Sequence, residues 1–391
     1  MKREQISIAS TYFYPDQMAA ANRLYALACV LSEEYDVHVY TATENPEEGR
    51  RAAAEKNVDF KVHYVEKKTF SISNFFVRFF REIGLSKRVF EAFESTRRCS
   101  KGQRPVLMVS APSIFLIPYF ARKSKAHFLV ADVRDLMWEY LLQGGVIHKL
   151  SGALFKKMVL RALRKFHLIT VTNESEYRYF QKYFPEKPLL LVSNGIERER
   201  FEKIKKKMSV HSSEECTVSY IGNVGIPQNL ESLLHIAQQL RDVKFVIAGG
   251  GSDLGRLIAL AEKMNLENVE FTGYVKWERV LEIYASSDIL YAKLDPSYIY
   301  AVPSKLYEYL STGAPVVYEG AGAAAELLRQ FNQVFIVENG DSKGLLKAVN
   351  QAREVKGLSQ ANREMVQKNY LRDDIFREFA QKLAEYRNRK L

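Results

Sequence analysis

Residues 303–317 read PSKLYEYLSTGAPVV, and this stretch predicts a short helix followed by a buried strand. Ser304 is a candidate N-cap, and Gly313 is a candidate C-terminal stop. The apolar run APVVY at 314–318 is typical of a strand that is buried on both faces. A helix that leads into such a strand indicates one repeat of a parallel α/β sheet.

The N-terminus of this helix predicts a phosphate site. Its unpaired N–H groups and positive dipole end suit a diphosphate, and Lys305 adds a full charge there. Glu308 follows one turn later, where a carboxylate can accept hydrogen bonds from vicinal ribose hydroxyls. The alternative for Glu308 is a capping box, but the required N3 position counted from Ser304 is Tyr307.

Strand and helix patterns alternate along the rest of the 391-residue chain, which is too long for one core. We expect a first domain over 1–197, a charged and Ser-rich linker over 198–216, and a second domain over 217–372. Helical spacing of apolar residues predicts a last helix within 373–391. From its pattern alone, that helix closes the second domain or crosses back to the first.

The apolar runs give the expected strands of two parallel sheets. In such sheets ligands bind at the carboxyl ends of strands, and two sheets joined by a linker form a cleft. The predicted strands are 6–10, 36–42, 106–112, 127–133, 168–172 and 189–195 in the first domain, and 217–223, 244–250, 269–275, 289–293, 314–318 and 334–338 in the second.

Two strand ends of the second domain are candidates for donor contacts. Gly222 and Gly225 let backbone N–H groups approach a phosphate, although glycines in such turns often serve geometry only. Tyr274 and Val275 end a strand where backbone groups could pair with a base, or they form an ordinary strand end. The segment 246–257, VIAGGGSDLGRL, lacks the third glycine of a dinucleotide fingerprint and is interpreted as a tight turn.

The first domain offers a second candidate region. Asp132, Arg134 and Asp135 stand at the end of an otherwise apolar strand, where they face a cleft or pair with one another. In the loop after the first strand, the small residues Ala19 and Ala20 would let the backbone approach a ligand.

The net charge of +11 is concentrated in the first half of the chain. Residues 1–200 hold 32 Lys and Arg against 22 Asp and Glu, whereas residues 201–391 hold 25 against 24. A basic partner surface therefore belongs to the first half, and anionic lipid or nucleic acid would suit it. No nucleic-acid recognition motif accompanies the charge, so we expect no nucleic-acid partner.

Residues 61–104 combine eleven Lys and Arg with interleaved phenylalanines, which favours a helix lying in a membrane interface. The alternative is a core face with solvated charges. A second basic stretch, 155–167, is similar. The predicted membrane contacts are Phe76, Arg78, Phe79, Phe80 and Arg81.

Several absences limit the function classes. The N-terminus lacks a signal-peptide pattern, and no run approaches the length of a membrane span, so we expect a soluble or peripheral protein. The three cysteines and seven histidines show no metal-ligand spacing. We therefore expect no metal site and a reducing cytoplasm.

Together these motifs resemble the family-4 retaining glycosyltransferases of the GT-B fold, over nearly the whole chain. The resemblance includes YFYPDQMAAANRLYALACVLSE, ADVRDLMWE, LLVSNGIERERF, YIGNVGIPQNLESLL and, above all, VPSKLYEYLSTGAPVV. That last motif is similar to the subgroup that builds bacterial O-antigen, capsule or exopolysaccharide units. The resemblance implies two Rossmann-like domains facing across a cleft, the first for the acceptor and the second for the donor, with the last helix crossing back to the first domain.

The family pattern also implies roles for individual residues. The pattern implies that Lys305 and Glu308 are catalytic and that Arg134 and Asp135 orient the acceptor or the sugar. It also implies that a loop near the acceptor and the donor phosphate is lined by Ala19, Ala20 and Asp132. The donor-binding residues it implies are Gly222, Asn223, Gly225, Tyr274, Val275, Tyr300, Pro303, Ser304, Lys305, Leu306 and Glu308.

Four positions depart from the common family pattern. Tyr300 stands where many members have a glutamate, Asn223 and Gln228 replace an arginine and a lysine, and Arg134 replaces a histidine. They are typical of the polysaccharide subgroup.

The resemblance implies transfer of a sugar from a nucleoside-diphosphate sugar, with uridine as the expected base, and with retention of configuration. The implied acceptor is polyprenyl-diphosphate-linked or a saccharide, at the inner face of the plasma membrane, and no cofactor is implied. Two alternatives keep the fold: a sugar-nucleotide epimerase, and a catalytically inactive subunit that partners a transferase.

Overall fold

The computed structural model describes residues 3–16, 18–67, 75–96, 104–111, 115–123, 125–134, 136–143, 145–208 and 216–388, with the side chains of 75–79 and 111 outside that description. The chain divides into two units. The first unit comprises Met1–Asn194 and Asp373–Leu391, and the second comprises Gly195–Arg372.

The described part of the first unit contains a seven-stranded parallel sheet in the order β3-β2-β1-β4-β5-β6-β7. Its elements are β1 (Glu4–Ala9), α1 (Ala19–Ser32), β2 (Tyr35–Thr43), α2 (Pro46–Glu55), β3 (Lys61–Glu66), α3 (Phe75–Thr96), β4 (Val106–Ala111), α4 (Leu116–Phe120), β5 (Phe128–Val133), α5 (Met137–Leu142), α6 (Val146–Leu163), β6 (Leu168–Val171), α7 (Glu174–Tyr183) and β7 (Leu189–Leu191).

The described part of the second unit contains a six-stranded parallel sheet in the order β10-β9-β8-β11-β12-β13. Its elements are α8 (Arg198–Lys207), β8 (Thr217–Ile221), α9 (Glu231–Gln239), β9 (Lys244–Ala248), α10 (Leu254–Lys263), β10 (Val269–Gly273), α11 (Trp277–Ala285), β11 (Ile289–Lys293), α12 (Lys305–Thr312), β12 (Val316–Glu319), α13 (Gly322–Leu328), β13 (Val334–Val337), α14 (Ser342–Arg353) and α15 (Gln360–Asn369).

The predicted strands are all present, but several end two to four residues earlier than expected. The residues in question, such as 193–195 and 222–223, lie in the loops at the carboxyl edges of the sheets. Strand β3 was not predicted. It is an edge strand in which Tyr64 alone is fully buried, so its sequence KVHYVE lacks the long apolar run that identifies the central strands.

The expected linker over 198–216 differs from the structure. Residues 198–207 form α8, whose Phe201 and Ile204 are fully buried in the core of the second unit. Most of the charged residues of this helix lie on its solvent face, and their number hides the two apolar positions when only composition is considered. Residues 209–215 lie outside the described residues.

The C-terminal helix, α16 (Arg372–Asn388), belongs almost entirely to the first unit. Phe376, Phe379 and Leu383 lie in the same core cluster as β1, β2 and α1. Arg387 also pairs with Glu4 at the start of β1. Within the described ranges, no helix combines the length and the apolar content that a membrane span requires.

Candidate functional site

Helix α12 is held against the carboxyl end of β8 by Tyr309. The Tyr309 hydroxyl accepts a hydrogen bond from the Ile221 N–H (2.8 Å) and donates one to the Ile221 carbonyl (3.1 Å). Leu306 and Leu310 are fully buried and fix the helix on the core. Gly313 ends the helix in the left-handed conformation, at φ 74°, as the sequence predicts. The N-terminus of α12 therefore lies beside the loop that follows β8.

Ser304 occupies the N-cap position of α12, but its side chain makes no capping hydrogen bond. The Leu306 N–H donates to the Pro303 carbonyl (3.1 Å), and the Leu306 side chain is fully buried. Leu306 is thus a core residue, and its side chain is not accessible to the diphosphate that it was predicted to contact. Pro303 and Ser304 remain partly exposed ahead of the helix.

The side chain of Lys305 points inward rather than into solvent. Its Nζ atom lies 3.7 Å from the centroid of the Tyr220 ring, is inaccessible to solvent and has no hydrogen-bond partner among the described residues. Burial lowers the pKa of Lys305 to about 7, although Glu308 opposes that shift. A buried ammonium group without a hydrogen-bond acceptor is costly, so this position favours an anion that would pair with it.

Gly222 makes room for this lysine. A Cβ atom at Gly222 would lie 2.9 Å from the Lys305 Nζ atom, and the residue has a φ of +141° that side chains rarely adopt. Gly249, in the loop after β9, would place a Cβ 1.8 Å from the Gly222 carbonyl oxygen. The tight turn expected near 246–257 therefore serves a close approach of two loops at the carboxyl edge.

The rest of the loop after β8 is stabilised by Gln228. Its Oε1 atom accepts hydrogen bonds from Asn223 Nδ2 (3.1 Å) and from the Gly225 N–H (3.3 Å). Gln228 therefore holds both predicted donor-binding residues, and the uncharged pair Asn223 and Gln228 has a structural use in this loop.

Glu308 is bound by two side chains that the sequence did not single out. Arg200 Nη1 donates to one carboxylate oxygen (3.0 Å), and the buried Tyr284 hydroxyl donates to the other (2.8 Å). The Arg200 guanidinium also lies over the Trp277 ring, 4.6 Å from its centroid. The Glu308 side chain is 20% exposed. It is therefore fixed in orientation yet remains accessible.

Burial and the neighbouring carboxylate raise the pKa of Tyr284 well above its usual range, which keeps its hydroxyl a donor to Glu308. Arg200 was not predicted as a site residue because it lies in the segment that was expected to be a linker. One signal was available, since Arg200 is the last residue of NGIERER, which is part of a motif that carried the family resemblance.

The predicted base-binding strand end lies directly beyond β10, which ends at Gly273 with φ 65°. Tyr274 is 79% exposed, whereas Val275 packs against the core cluster that contains α12. Tyr300 is partly exposed in the loop that precedes α12. The structure thus places these three residues in the loops at the carboxyl edge of the second sheet.

The first unit has a buried charged network at the end of β5. Asp132 is fully buried, and its carboxylate accepts hydrogen bonds from Ser110 (2.7 Å) and Thr170 (2.9 Å). Arg23 and Arg134 lie 3.5 and 3.7 Å from its oxygens. Burial raises the pKa of Asp132, but the two arginines together with the hydrogen bonds from Ser110 and Thr170 outweigh it and leave the pKa below its usual range. Asp132 therefore has no exposed surface for a ligand, and it positions Arg134 and Arg23.

Arg134 connects this network to helix α1. Its Nη1 atom donates to the carbonyl of Ala20 (3.0 Å). The expectation that Ala19 and Ala20 lie in a loop is wrong, because α1 begins at Ala19. Alanine has the highest helix propensity, so these small residues start the helix rather than extend the loop. Asp135 lies outside the described residues.

The predicted membrane contacts lie in the first turns of helix α3. The side chains of Phe76, Arg78 and Phe79 lie outside the described residues, whereas Phe80 is 67% exposed and Arg81 is partly exposed. Within the described part of the chain, no three His, Cys, Asp or Glu side chains come together as they would around a metal ion.

Residues 201–371 match the family model described as Glycosyl transferases group 1. Two curated relatives are each 22% identical to the chain. They are the uncharacterized glycosyltransferase MJ1069 of Methanocaldococcus jannaschii, over 50% of this chain and 53% of the relative, and the putative colanic acid biosynthesis glycosyl transferase WcaI of Escherichia coli (strain K12), over 60% and 55%. The chain spans about half the length of the curated relatives it matches.

Similar solved structures cover almost the whole chain. Sucrose-phosphate synthase from Thermosynechococcus elongatus is 14% identical with a TM-score of 0.75, over 98% of this chain and 99% of the other. Anabaena Alr3699/HepE, solved in complex with UDP, is 13% identical with a TM-score of 0.69, over 98% and 100%. These likenesses show the fold, which is GT-B.

Proposed function

We propose that the chain is a glycosyltransferase whose second unit binds a nucleoside-diphosphate sugar. The observation that carries the proposal is the buried Lys305 Nζ atom, which lacks a hydrogen-bond partner among the described residues, one turn before the oriented carboxylate of Glu308. A diphosphate beside Lys305 and a ribose at Glu308 would satisfy both groups. The match of 201–371 to the group 1 glycosyl transferases and the UDP complex of the Anabaena structure support this assignment.

Lys305 and the first turn of α12 would stabilise the leaving diphosphate. Negative charge develops on the diphosphate as the glycosidic C–O bond breaks, and a fixed cation and helix N–H groups next to it lower the barrier. The same groups supply the charge that a divalent cation would otherwise supply, so we expect catalysis without added metal. A diphosphate would also raise the pKa of Lys305 from about 7 and keep it protonated.

Glu308 would bind the donor ribose. Arg200 and Tyr284 each use one lone pair of a carboxylate oxygen, and the second lone pair of each oxygen remains for a ribose hydroxyl. We therefore assign Arg200 and Tyr284 as positioning residues for Glu308.

The reaction we propose is transfer with retention of configuration. The acceptor hydroxyl oxygen forms a bond to the anomeric carbon on the face that the diphosphate leaves, and a donor phosphate oxygen takes the hydroxyl proton. The first unit would bind the acceptor, and Arg134, which is 8% exposed at the carboxyl edge of its sheet, is the candidate contact. The named role of the E. coli relative in colanic acid biosynthesis supports an acceptor in surface polysaccharide synthesis, at the cytoplasmic face of the membrane.

The test is transfer from a panel of nucleoside-diphosphate sugars, UDP-sugars first, to a polyprenyl-diphosphate-linked saccharide, with the product's anomeric configuration read by NMR. We expect a retained linkage from the wild type, and at least about a hundredfold loss in Lys305→Ala and Glu308→Ala. Full activity in both variants would contradict the assignment. A donor epimerised without acceptor would identify an epimerase, and no nucleotide binding at all would identify an inactive partner subunit.

A further inference from the structure

The outer face of helix α6 exposes a row of large apolar side chains. They are Val146 (75% exposed), Ile147 (65%), Leu150 (69%) and Leu154 (65%). At about 3.6 residues per turn, their positions span roughly a third of the helix circumference. They therefore form one stripe rather than scattered exposures.

This stripe lies opposite the face that holds α6 in the fold. Phe155, Val159 and Leu163 are buried, and the Phe155 ring packs edge-on against Phe115 at 5.6 Å between centroids. At Gly152, a Cβ atom would lie 3.0 Å from the Trp138 carbonyl, so α6 sits close on α5. The inner face accounts for the packing of α6, and the outer stripe is left for another use.

The other large apolar side chains that the described residues expose are dispersed. They occur singly on separate helices, strands and loops: Met18, Phe80, Met137, Tyr183, Leu191, Ile226, Tyr274 and Ile299. A helix of the second unit, α14, shows the ordinary arrangement, because its exposed face carries Lys343 and Lys347. Among the residues whose side chains the structure describes, α6 alone gathers four such residues within nine positions.

The charge on α6 is entirely positive. Residues 146–163 contain four Lys and Arg and no Asp or Glu. Lys156 pairs with Glu139 on α5 (2.8 Å), while Lys157 and Arg161 are exposed and continue the line of the apolar stripe. The first turn carries no acidic residue and no side-chain cap. The outer face is therefore apolar over its first half and basic over its second.

We propose that the outer face of α6 docks on an anionic lipid bilayer. Val146, Ile147, Leu150 and Leu154 would enter the boundary between headgroups and acyl chains, and Lys157 and Arg161 would lie on lipid phosphates. A second copy of the chain fits this face poorly, because it would bring further cations to a helix that has no carboxylate to match them.

This surface is separate from the membrane contacts predicted on α3. The sequence drew attention to the basic stretch 155–167 but not to the apolar residues before it, whose exposure only the structure shows. The outer face of α6 belongs to the first unit alone. Vesicle binding therefore tests it independently of whether the second unit binds a nucleotide sugar.

The test measures co-sedimentation of the full chain with phosphatidylglycerol vesicles and with phosphatidylcholine vesicles, over a range of salt. Two variants divide the surface: Leu150→Ser with Leu154→Ser, and Lys157→Glu with Arg161→Glu. All four residues are exposed, so the fold should tolerate these changes. Lys343→Glu with Lys347→Glu on α14 makes the same charge change elsewhere and is the control.

We expect wild-type binding to phosphatidylglycerol vesicles that is at least about tenfold stronger than to phosphatidylcholine and that weakens with salt. Each α6 variant should lower the partition coefficient about tenfold or more, and the α14 control should leave it within about threefold. The proposal is overturned if the wild type does not bind vesicles, or if the α14 control loses as much as the α6 variants. It is also overturned if Leu150→Ser with Leu154→Ser dissociates an oligomer in light scattering without changing vesicle binding.

Discussion

Arg200 and Glu308 form a hydrogen-bonded ion pair of 3.0 Å, although 108 residues separate them in the chain. Arg200 lies on α8, and Glu308 lies on α12. Tyr284 on α11 holds the second carboxylate oxygen. Three helices of the second unit thus converge on one carboxylate, which stands one turn after the buried Lys305 and remains accessible.

Replacing Arg200 should weaken nucleotide binding by misorienting Glu308. Arg200→Met should lower UDP affinity about tenfold, because it removes one charge-assisted hydrogen bond to the carboxylate. The affinity for 2′,3′-dideoxy-UDP should not change, since that analogue lacks the hydroxyls that Glu308 would bind. Calorimetric titration measures both. Lys203→Met, on the same helix and paired with the exposed Glu199, is the control. An equal loss for both nucleotides would leave Arg200 with a general structural role.

Adding a methyl group at Gly222 should disrupt the phosphate site. In Gly222→Ala the new Cβ atom would lie 2.9 Å from the Lys305 Nζ atom, at a φ of +141°. We expect a loss of stability of about 1–3 kcal/mol and at least a tenfold loss of UDP affinity. Gly250→Ala is the matched control, because a Cβ there meets nothing within 4 Å and no positive φ constrains it. Equal behaviour of the two variants in denaturation and titration would contradict the close packing.

Lys305 should make the protein less stable near neutral pH than a neutral side chain would. Its pKa falls from 10.5 to about 7 on folding. Between those values the unfolded chain holds the proton and the folded chain does not, so stability rises with pH by roughly 1.4 kcal/mol per unit. Lys305→Met should therefore be more stable at pH 7, and it should lack that rise. Urea denaturation from pH 7 to 10 measures this effect.

The exposed Lys347→Met variant should keep the wild-type dependence on pH. If Lys305→Met were less stable than wild type at pH 7, the ammonium group would have a partner that stabilises it. That result would remove the argument for an anion at this position.

Replacing Asp132 should lower the stability of the fold rather than remove a contact with a ligand. Asp132→Ala leaves Arg23 and Arg134 without their shared carboxylate in a buried network, and we expect a cost of about 3–5 kcal/mol. Its depressed pKa contributes stability above the usual Asp range that is lost as pH falls through the folded-state pKa. Asp59→Ala, at a largely exposed ion pair, is the control. A drop in activity with unchanged thermal stability would instead place Asp132 at the acceptor.

The sequence sufficed for the architecture because central parallel strands are buried on both faces and therefore appear as apolar runs. The same rule explains why β3 was missed, since an edge strand shows one buried residue and an otherwise mixed composition. The segment 198–216 looked like a linker for a different reason. The charged residues of α8 outnumber its two buried apolar residues, so the composition of the segment is polar.

The sequence predicted the site residues that share one helix, but it did not predict those that come from other elements. Lys305 and Glu308 stand on one short helix, so spacing alone brings them together. Their partners Tyr220, Tyr284 and Arg200 come from other elements, so no spacing within α12 points to them. Burial likewise changes a residue's role, as with Asp132, whose position after a strand suggested ligand contact but whose carboxylate is enclosed.

The central claim is that Glu308 binds the ribose of a nucleoside diphosphate held at Lys305, and ribose discrimination tests it most directly. The measurement is calorimetric titration of UDP and of 2′,3′-dideoxy-UDP into the wild type and into Glu308→Ala. We predict that the wild type binds UDP at least about tenfold more tightly than the dideoxy analogue, and that Glu308→Ala binds both alike. The same preference in both proteins, or no binding of UDP to the wild type, would contradict the account.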